Sequence, residues 1–389
     1  MKLSEHSTDE SLAPLLVCPR CRKSLTPSTN GEWVCREHNV VATSTLGVVD
    51  FLAGQAILHG AAGARFDLAA DAEIANQLAE RASELTVEAL LKMKTELTAP
   101  SEASATATMN AAQRRFNRRY RNVESEVMAC GQAGIVHKVA PYLASIGHRP
   151  LGGVWALEAG GGHGHFLADF ASMYHNVILA DCSLTLIIIA RRNAEERGVT
   201  NVHYIRCDAT LLPLASDSMD WIHENNIIEH VADPQALVSE GTRVLSQRGV
   251  YVIVSPNRYP ITPEPHFRVP LFGAVPRPVR RWLIPRVRGV SSEAGTDLRS
   301  LGQLRSYLRG AGEEDVPIFF LPRQLEYTVR RTVVRRIVRV LLSSRVFGGG
   351  LNILLNRVLL HIMPSHIAIV ARGGYTPDDD VYDVPVGTG

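Results

Sequence analysis

The sequence lacks a long hydrophobic run. No stretch of about 18 consecutive apolar residues occurs, and the best candidate, Leu351 to Met363, is short and is interrupted by polar residues. The opening residues, MKLSEHSTDESLAPLLV, also lack the continuous apolar segment of a secretory signal. We therefore expect a cytoplasmic protein without a membrane-spanning helix.

Lysine is scarce, with five residues against 36 arginines, and the net charge is only +2. A balance this close to neutral gives no global case for nucleic-acid binding. The charge is uneven, however, because residues 258–345 hold 17 arginines, no lysine and seven acidic residues. The content of 46% hydrophobic and 21% charged residues excludes wholesale disorder, and a length of 389 residues predicts two or three structural units.

Three of the six cysteines crowd into the front of the chain. Without a secretory signal, such a cluster indicates metal binding rather than a disulfide framework. Cys18, Cys21, Cys35 and His38 give the pattern C-x2-C-x13-C-x2-H, and three thiolates with one imidazole complete the tetrahedral shell of a structural zinc ion. His38 is the weaker ligand, because Glu37 or a more distant group could replace it. The alternative is that these cysteines are unrelated.

From Gly153 onward, apolar strands alternate with helical patterns. The strand candidates are VWALEAG, NVILAD, VHYIRC, MDWIHE and VYVIVSP, and VPIFF and HIAIVAR follow later. This alternation is typical of a doubly wound parallel sheet in an α/β fold. Before it, residues 64–97 show helical periodicity, and the Ala/Ser/Thr-rich stretch Thr98 to Asn110 indicates a linker or an exposed loop.

These patterns divide the chain into five segments. They are a metal-binding unit over residues 1–54, a helical connecting region over 55–149, a core over 150–257, a region of substrate-side loop, basic amphipathic helices and closing strands over 258–372, and a disordered tail over 373–389.

The segment LEAGGGHGHF, Leu157 to Phe166, follows a predicted strand and opens a helix, as a nucleotide-binding loop does. A dinucleotide site of the form G-x-G-x-x-G would need glycine at position 165, where the chain has histidine. The spacing is instead Glu158-x-Gly160-x-Gly162-x-Gly164, which resembles motif I of class I S-adenosylmethionine-dependent methyltransferases.

Downstream landmarks strengthen this resemblance. Asp181 ends the second predicted strand, where that family uses a carboxylate to bind the ribose, and Asp208 follows the third strand, where an acid contacts the adenine. The resemblance implies a Rossmann-like seven-stranded methyltransferase sheet, with S-adenosylmethionine bound through Glu158, Gly160, Gly162, Gly164, Asp181 and Asp208. The front cysteine motif is similar to the zinc ribbons that precede several bacterial methyltransferase domains. Ordinary strand–helix turns with capping aspartates are the alternative.

The methyl acceptor should lie beyond the carboxyl ends of the strands. Side chains expected there include His223, Glu224, Glu229 and His230. His230 and His266 are the candidates for a catalytic general base, because imidazole titrates near working pH. Either histidine could instead have only a packing role.

Three functions compete. The first is O-methylation of a small-molecule, glycan or lipid-linked acceptor, which the EHVADP and PEPHF segments favour by resemblance. The second is methylation of an RNA base, because RRFNRRYR (Arg114 to Arg121) interleaves basic and aromatic residues and a zinc ribbon precedes some ribosomal RNA methyltransferases. The third is a non-enzymatic module, which the intact acids and glycines disfavour.

The stretch Tyr327 to Arg345 forms an amphipathic pattern, with an apolar stripe and arginines at spacings of four. Such a helix can lie on an anionic membrane surface, which would suit a lipid-linked acceptor and a peripheral position at the inner face of the membrane. Packing against the sheet with solvated arginines, or contact with RNA, are the alternatives.

Overall fold

The computed structural model describes residues 10–28, 30–52, 57–59, 64–107, 135–148, 151–260, 272–288, 297–319, 361–362 and 365–373. Several sequence predictions lie outside these residues: the basic segment 114–121, His266, the amphipathic stretch 327–345 and most of the tail.

The described residues form 13 strands and eight α-helices. The strands are β1 (Thr26–Pro27), β2 (Glu32–Cys35), β3 (Asn39–Thr45), β4 (Val48–Asp50), β5 (Ile57–His59), β6 (Ala64–Phe66), β7 (Gly153–Ala159), β8 (Tyr174–Asp181), β9 (Val202–Arg206), β10 (Met219–Asn225), β11 (Leu245–Pro256), β12 (Ile318–Phe319) and β13 (Ser365–Ala371). The helices are α1 (Leu68–Arg81), α2 (Val87–Ala107), α3 (Ile135–Ser145), α4 (Leu167–Ala171), α5 (Leu184–Glu196), α6 (Pro234–Val244), α7 (Arg277–Arg288) and α8 (Leu301–Gly310).

Seven strands make the predicted α/β sheet. Their order is β9-β8-β7-β10-β11-β13-β12, in which the first five run parallel and β13 is antiparallel to both of its neighbours. The central strands are apolar on both faces because helices cover both sides. Leu157 and Ile222 pack with α6 and α8 on one face, while Leu179 and Trp221 pack with α1 and α5 on the other.

The complete sheet has eleven strands among the described residues rather than seven. Strands β1 to β4, from the front of the chain, continue it past β9, because β4 pairs with β9 in parallel through Val49–Ile205 and Asp50–Arg206. Trp33 of β2 is fully buried in the same apolar core as Leu157. The front unit therefore covers a sheet edge that would otherwise present unpaired backbone groups.

Helix α2 corrects the predicted loop at Thr98 to Asn110, because it continues to Ala107. Alanine is the strongest helix former, and Thr98 finds a partner within the helix, because its hydroxyl donates to the Lys94 carbonyl at 2.9 Å. In the described part of the chain, each helix is too short or too polar to cross a membrane.

Candidate cofactor and acceptor sites

The glycine loop leaves the carboxyl end of β7 and leads into α4. Gly160 (φ +67°) and Gly162 (φ +51°) adopt left-handed backbone conformations that side chains rarely tolerate. A Cβ at Gly160 would lie 2.4 Å from Ile227 Cδ1, whereas a Cβ at Gly162 would meet nothing within 4 Å. Gly160 is thus required by close packing, while Gly162 borders open space that a ligand can occupy.

Glu158 lies in β7 just before this loop and is buried, with only 3% of its surface exposed. Its Oε2 atom is buried without a hydrogen-bond partner. Burial raises the pKa of Glu158 well above its usual value, and the negative charges of Asp181 and Asp169 raise it further. A cationic ligand group beside Glu158 would stabilise its ionised form.

Asp181, at the end of β8, is tied to the glycine loop. Its Oδ2 atom accepts a hydrogen bond from the Gly162 N–H at 2.9 Å, and its Oδ1 atom accepts one from the Ser183 N–H at 2.9 Å. The Gly160 N–H donates to the Ala180 carbonyl at 2.8 Å. These bonds fix the orientation of the carboxylate relative to the loop.

Asp208 follows β9 and is half-buried. Its Oδ1 atom accepts from the N–H and the hydroxyl of Thr210, at 2.8 and 2.7 Å, and so caps a short 3₁₀ turn. Glu158, Asp181 and Asp208 therefore lie at or just beyond the carboxyl ends of three adjacent parallel strands, β7, β8 and β9. Their role in cofactor binding stays a prediction.

His230 lies on the loop after β10, where the sequence analysis expects the methyl acceptor. Its side chain is 34% exposed, and its Nε2 atom lies 3.8 Å from Oε1 of Glu229, whose side chain is fully buried. The other general-base candidate, His266, lies outside the described residues. Arg299, which the sequence analysis missed, joins this end of the sheet because it forms a β-bridge with Asn257.

Two residues expected at the acceptor side belong to the core instead. His223 and Glu224 are members of β10 and are fully buried. Burial lowers the pKa of His223 to about 3, and its ring packs edge-on against Phe166 with centroids 4.5 Å apart. Burial raises the pKa of Glu224 to about 8. The prediction was wrong for these two residues because they lie within the strand, where packing on both faces of the sheet buries them, and not beyond its end.

The four residues of the front motif converge on one point between the turn at residues 18–21 and the β2–β3 hairpin. One ligand atom from each of Cys18, Cys21, Cys35 and His38 lies within 4.8 Å of the others. The closest pairs are Cys18 Sγ to His38 Nδ1 and Cys21 Sγ to Cys35 Sγ, both at 3.5 Å. This donor set could hold a metal ion.

Comparison with known proteins finds similarity over part of the chain. Residues 157–253 match the family described as "Methyltransferase domain". The uncharacterized methyltransferase YcgJ of Bacillus subtilis is 33% identical over 98 residues, which cover 25% of this chain and 39% of YcgJ. The solved structure of YcgJ superposes on 61% of this chain and 99% of its own, with 18% identity and a TM-score of 0.36.

Two further relatives have named substrates. The ubiquinone biosynthesis O-methyltransferase of Cereibacter sphaeroides is 31% identical over 134 residues, covering 34% of this chain and 51% of that protein. The tRNA 5-carboxymethoxyuridine methyltransferase of Escherichia coli is 33% identical over 119 residues, covering 30% and 44%. The chain thus spans about two fifths to half of the length of these relatives. Residues 157–253 are therefore a methyltransferase domain.

Proposed function

We propose that the protein transfers a methyl group from S-adenosylmethionine to a hydroxyl of a small-molecule, glycan or lipid-linked acceptor. The observation that carries this proposal is the convergence of the glycine loop and three carboxyl groups at one edge of the sheet, next to the His230 loop. The name of the ubiquinone O-methyltransferase, a relative over 134 residues, supports a hydroxyl acceptor.

The residues at this edge fit the cofactor. The buried Oε2 atom of Glu158 lacks a partner, and the space beside Gly162 is open. Glu158 would bind near the cationic methionine end, Asp181 would accept hydrogen bonds from the ribose hydroxyls, and Asp208 would face the adenine. When bound, the sulfonium cofactor supplies an electrophilic methyl group, so the protein must orient the acceptor and remove its proton.

His230 is the proposed general base. At this position, next to Glu229, the imidazole would accept the proton of the acceptor hydroxyl. The buried carboxylate of Glu229 then stabilises the imidazolium that forms, because the two groups lie only 3.8 Å apart. His266 remains a second candidate for this role.

The front motif is proposed to hold one structural Zn²⁺ through Cys18, Cys21, Cys35 and His38. Three thiolates and one imidazole fill all four positions of a tetrahedral ion and leave none for substrate, so the ion would support the fold of the front unit. A peripheral position at the membrane, through residues 327–345, also stays a prediction because that stretch lies outside the described residues.

Methylation of RNA is the second candidate, because a tRNA methyltransferase matches this chain with comparable identity. Incubation with radiolabelled S-adenosylmethionine and separate pools of hydroxylated quinones, lipid-linked glycans and bulk tRNA distinguishes the two. Label in a small-molecule or lipid fraction supports the first proposal. Label in tRNA alone would replace it with the second.

The role of His230 has its own test. His230→Ala should lower kcat by roughly 10²- to 10⁴-fold, the usual contribution of a general base, while the affinity for S-adenosylhomocysteine stays unchanged. His175→Asn is the matched control, because that exposed histidine lies at the start of β8, at the opposite end of the strand from Asp181. An unchanged kcat in His230→Ala would remove His230 from the mechanism.

A further inference from the structure

A buried charge cluster, outside the residues assigned so far, lies next to the cofactor edge, the name used here for the carboxyl ends of β7, β8 and β9 with the glycine loop. At its centre is Arg206, the last residue of β9, with only 3% of its surface exposed. Its Nη1 atom lies 3.2 Å from Oδ2 of Asp50, and its Nη2 atom lies 3.1 Å from Oδ2 of Asp71. Its Nε–H donates to the carbonyl of Cys182 at 3.0 Å.

The partners of Arg206 come from three separate parts of the chain. Asp50 ends β4 of the front unit, Asp71 lies in the first turn of α1, and Cys182 follows directly after Asp181. Asp50 and Asp71 are only 4% and 8% exposed. Ionised groups buried this deeply are tolerated only when they are paired and hydrogen-bonded, so loss of one partner is costly to the others.

Asp71 connects the cluster to the loop after β8 through two hydrogen bonds. Its Oδ1 atom accepts a hydrogen bond from the Ser183 hydroxyl, and its Oδ2 atom accepts one from the Leu184 N–H, both at 2.7 Å. These donors lie at the N-terminus of α5, where a negative charge is also favoured by the helix dipole. Residues 182–184 are thus held by Arg206 on one side and by Asp71 on the other.

The same loop sets the orientation of Asp181. The Ser183 N–H donates to Asp181 Oδ1, and Asp181 Oδ2 accepts from the Gly162 N–H. An unbroken series of contacts therefore runs from the front unit, through Asp50 and Arg206, to the loop that holds the Asp181 carboxylate against the glycine loop.

We propose that Arg206 is a positioning residue for the cofactor edge. Because Asp50 of the front unit holds Arg206, the front unit also helps to keep the cofactor edge in its binding conformation. The inference rests on the proposed role of Asp181 in cofactor binding. Arg206 touches no cofactor atom itself. It holds the loop at residues 182–184 so that Asp181 keeps one orientation.

The test compares two contacts between the front unit and the core. Asp50→Asn weakens the Arg206 cluster without removing volume. Arg22→Gln is the matched control, because Arg22 binds Glu240 of α6 at 2.9 Å and the Leu212 carbonyl at 2.7 Å, and neither contact involves residues 181–184. Both variants are made in the full chain, and calorimetry with S-adenosylhomocysteine measures their affinity.

Asp50→Asn should weaken binding of S-adenosylhomocysteine by roughly 3- to 30-fold, which is typical for a coupled position. The affinity of Arg22→Gln, at a similar loss of Tm, should stay within about twofold of the wild-type affinity. In turnover, Asp50→Asn should raise KM for S-adenosylmethionine and leave kcat unchanged at saturation. Equal effects of the two variants on affinity, or none in folded Asp50→Asn, would overturn the inference.

Hydrogen exchange provides a readout that does not depend on the cofactor. The Ser183 and Leu184 amides should exchange faster in Asp50→Asn than in Arg22→Gln, because their acceptors Asp181 and Asp71 lose support. If the wild type binds no S-adenosylhomocysteine, the cofactor assignment fails, and this exchange pattern still decides whether Arg206 positions the loop. Unchanged exchange at both amides would show that it does not.

Discussion

Glu158 combines burial, a missing hydrogen-bond partner and negative neighbours in one carboxyl group. Its pKa in the free protein is raised well above the usual value by burial, then by Asp181 and Asp169. A cationic ligand beside it favours the ionised form, so its pKa should fall on binding and a proton should be released.

This proton release is measurable by calorimetry in two buffers. The apparent enthalpy of S-adenosylmethionine binding should differ between phosphate and Tris buffers, because the buffer takes up the released proton with a different heat in each. Glu158→Gln should remove the difference. Identical enthalpies for the wild type in both buffers would show that Glu158 does not respond to the ligand.

Glu224 has a consequence for stability rather than for binding. Burial raises its pKa from 4.5 to about 8, so the folded protein holds a proton that the unfolded chain loses. The stabilising contribution of this protonated form is complete below about pH 4.5 and is lost as the pH rises to about 8.

Glu224→Gln keeps the shape of the side chain and removes this pH dependence. The variant should be more stable than the wild type at pH 8 by roughly 1–3 kcal/mol, and the difference should shrink towards pH 5. Urea unfolding at several pH values measures it. Glu195→Gln on the exposed side of α5 serves as the control, and a wild-type stability that does not decline between pH 5 and 8 would contradict the prediction.

At the scale of elements, the strands that carry the site could be predicted from the sequence. β7 to β11 and β13 are short apolar runs, and the glycine loop is a local pattern that immediately follows one of them. The expected edge of glycines and acids at β7, β8 and β9 follows from the same local signals, because parallel strands end at a common edge.

Contacts between distant segments could not be predicted in this way. Arg206 lies 156 residues from Asp50 and 135 from Asp71, and no periodicity links these positions. In the string IRCD, the sequence analysis identified only Asp208 as a candidate site residue and gave no role to Arg206. Strand β4 is three residues long, and nothing in Val48–Asp50 specifies β9 as its partner. Such pairing is decided by the tertiary fold.

The metal prediction concerns the front unit. One zinc ion per chain should copurify, and the double variant Cys18→Ser with Cys21→Ser should lose it together with part of the thermal stability, because metal binding drives folding of small thiolate sites. Elemental analysis and thermal unfolding measure both effects. Cys182→Ser should keep the ion. Full metal occupancy in the double variant would place the ion at another site.

At the scale of the whole molecule, the front unit and the methyltransferase domain share one sheet. In the part of the chain that the structure describes, eleven strands run from β1 at one edge to β12 at the other, and most buried apolar residues of the front unit belong to the same apolar core as Leu157 of β7 and Ile222 of β10. The proposed active site therefore lies in the middle of a continuous sheet, with the proposed metal ligands at one flank.

The parallel pairing of β4 with β9 also constrains how the protein is made. Asp50 leaves the ribosome 156 residues before Arg206, which at about 5–20 residues per second is a delay of roughly 8–30 seconds. During this interval β4 has no parallel partner, and an unpaired strand edge invites pairing with other nascent chains. A metal ion that closes the β2–β3 hairpin early would hold β4 in place until its partner strand is synthesised.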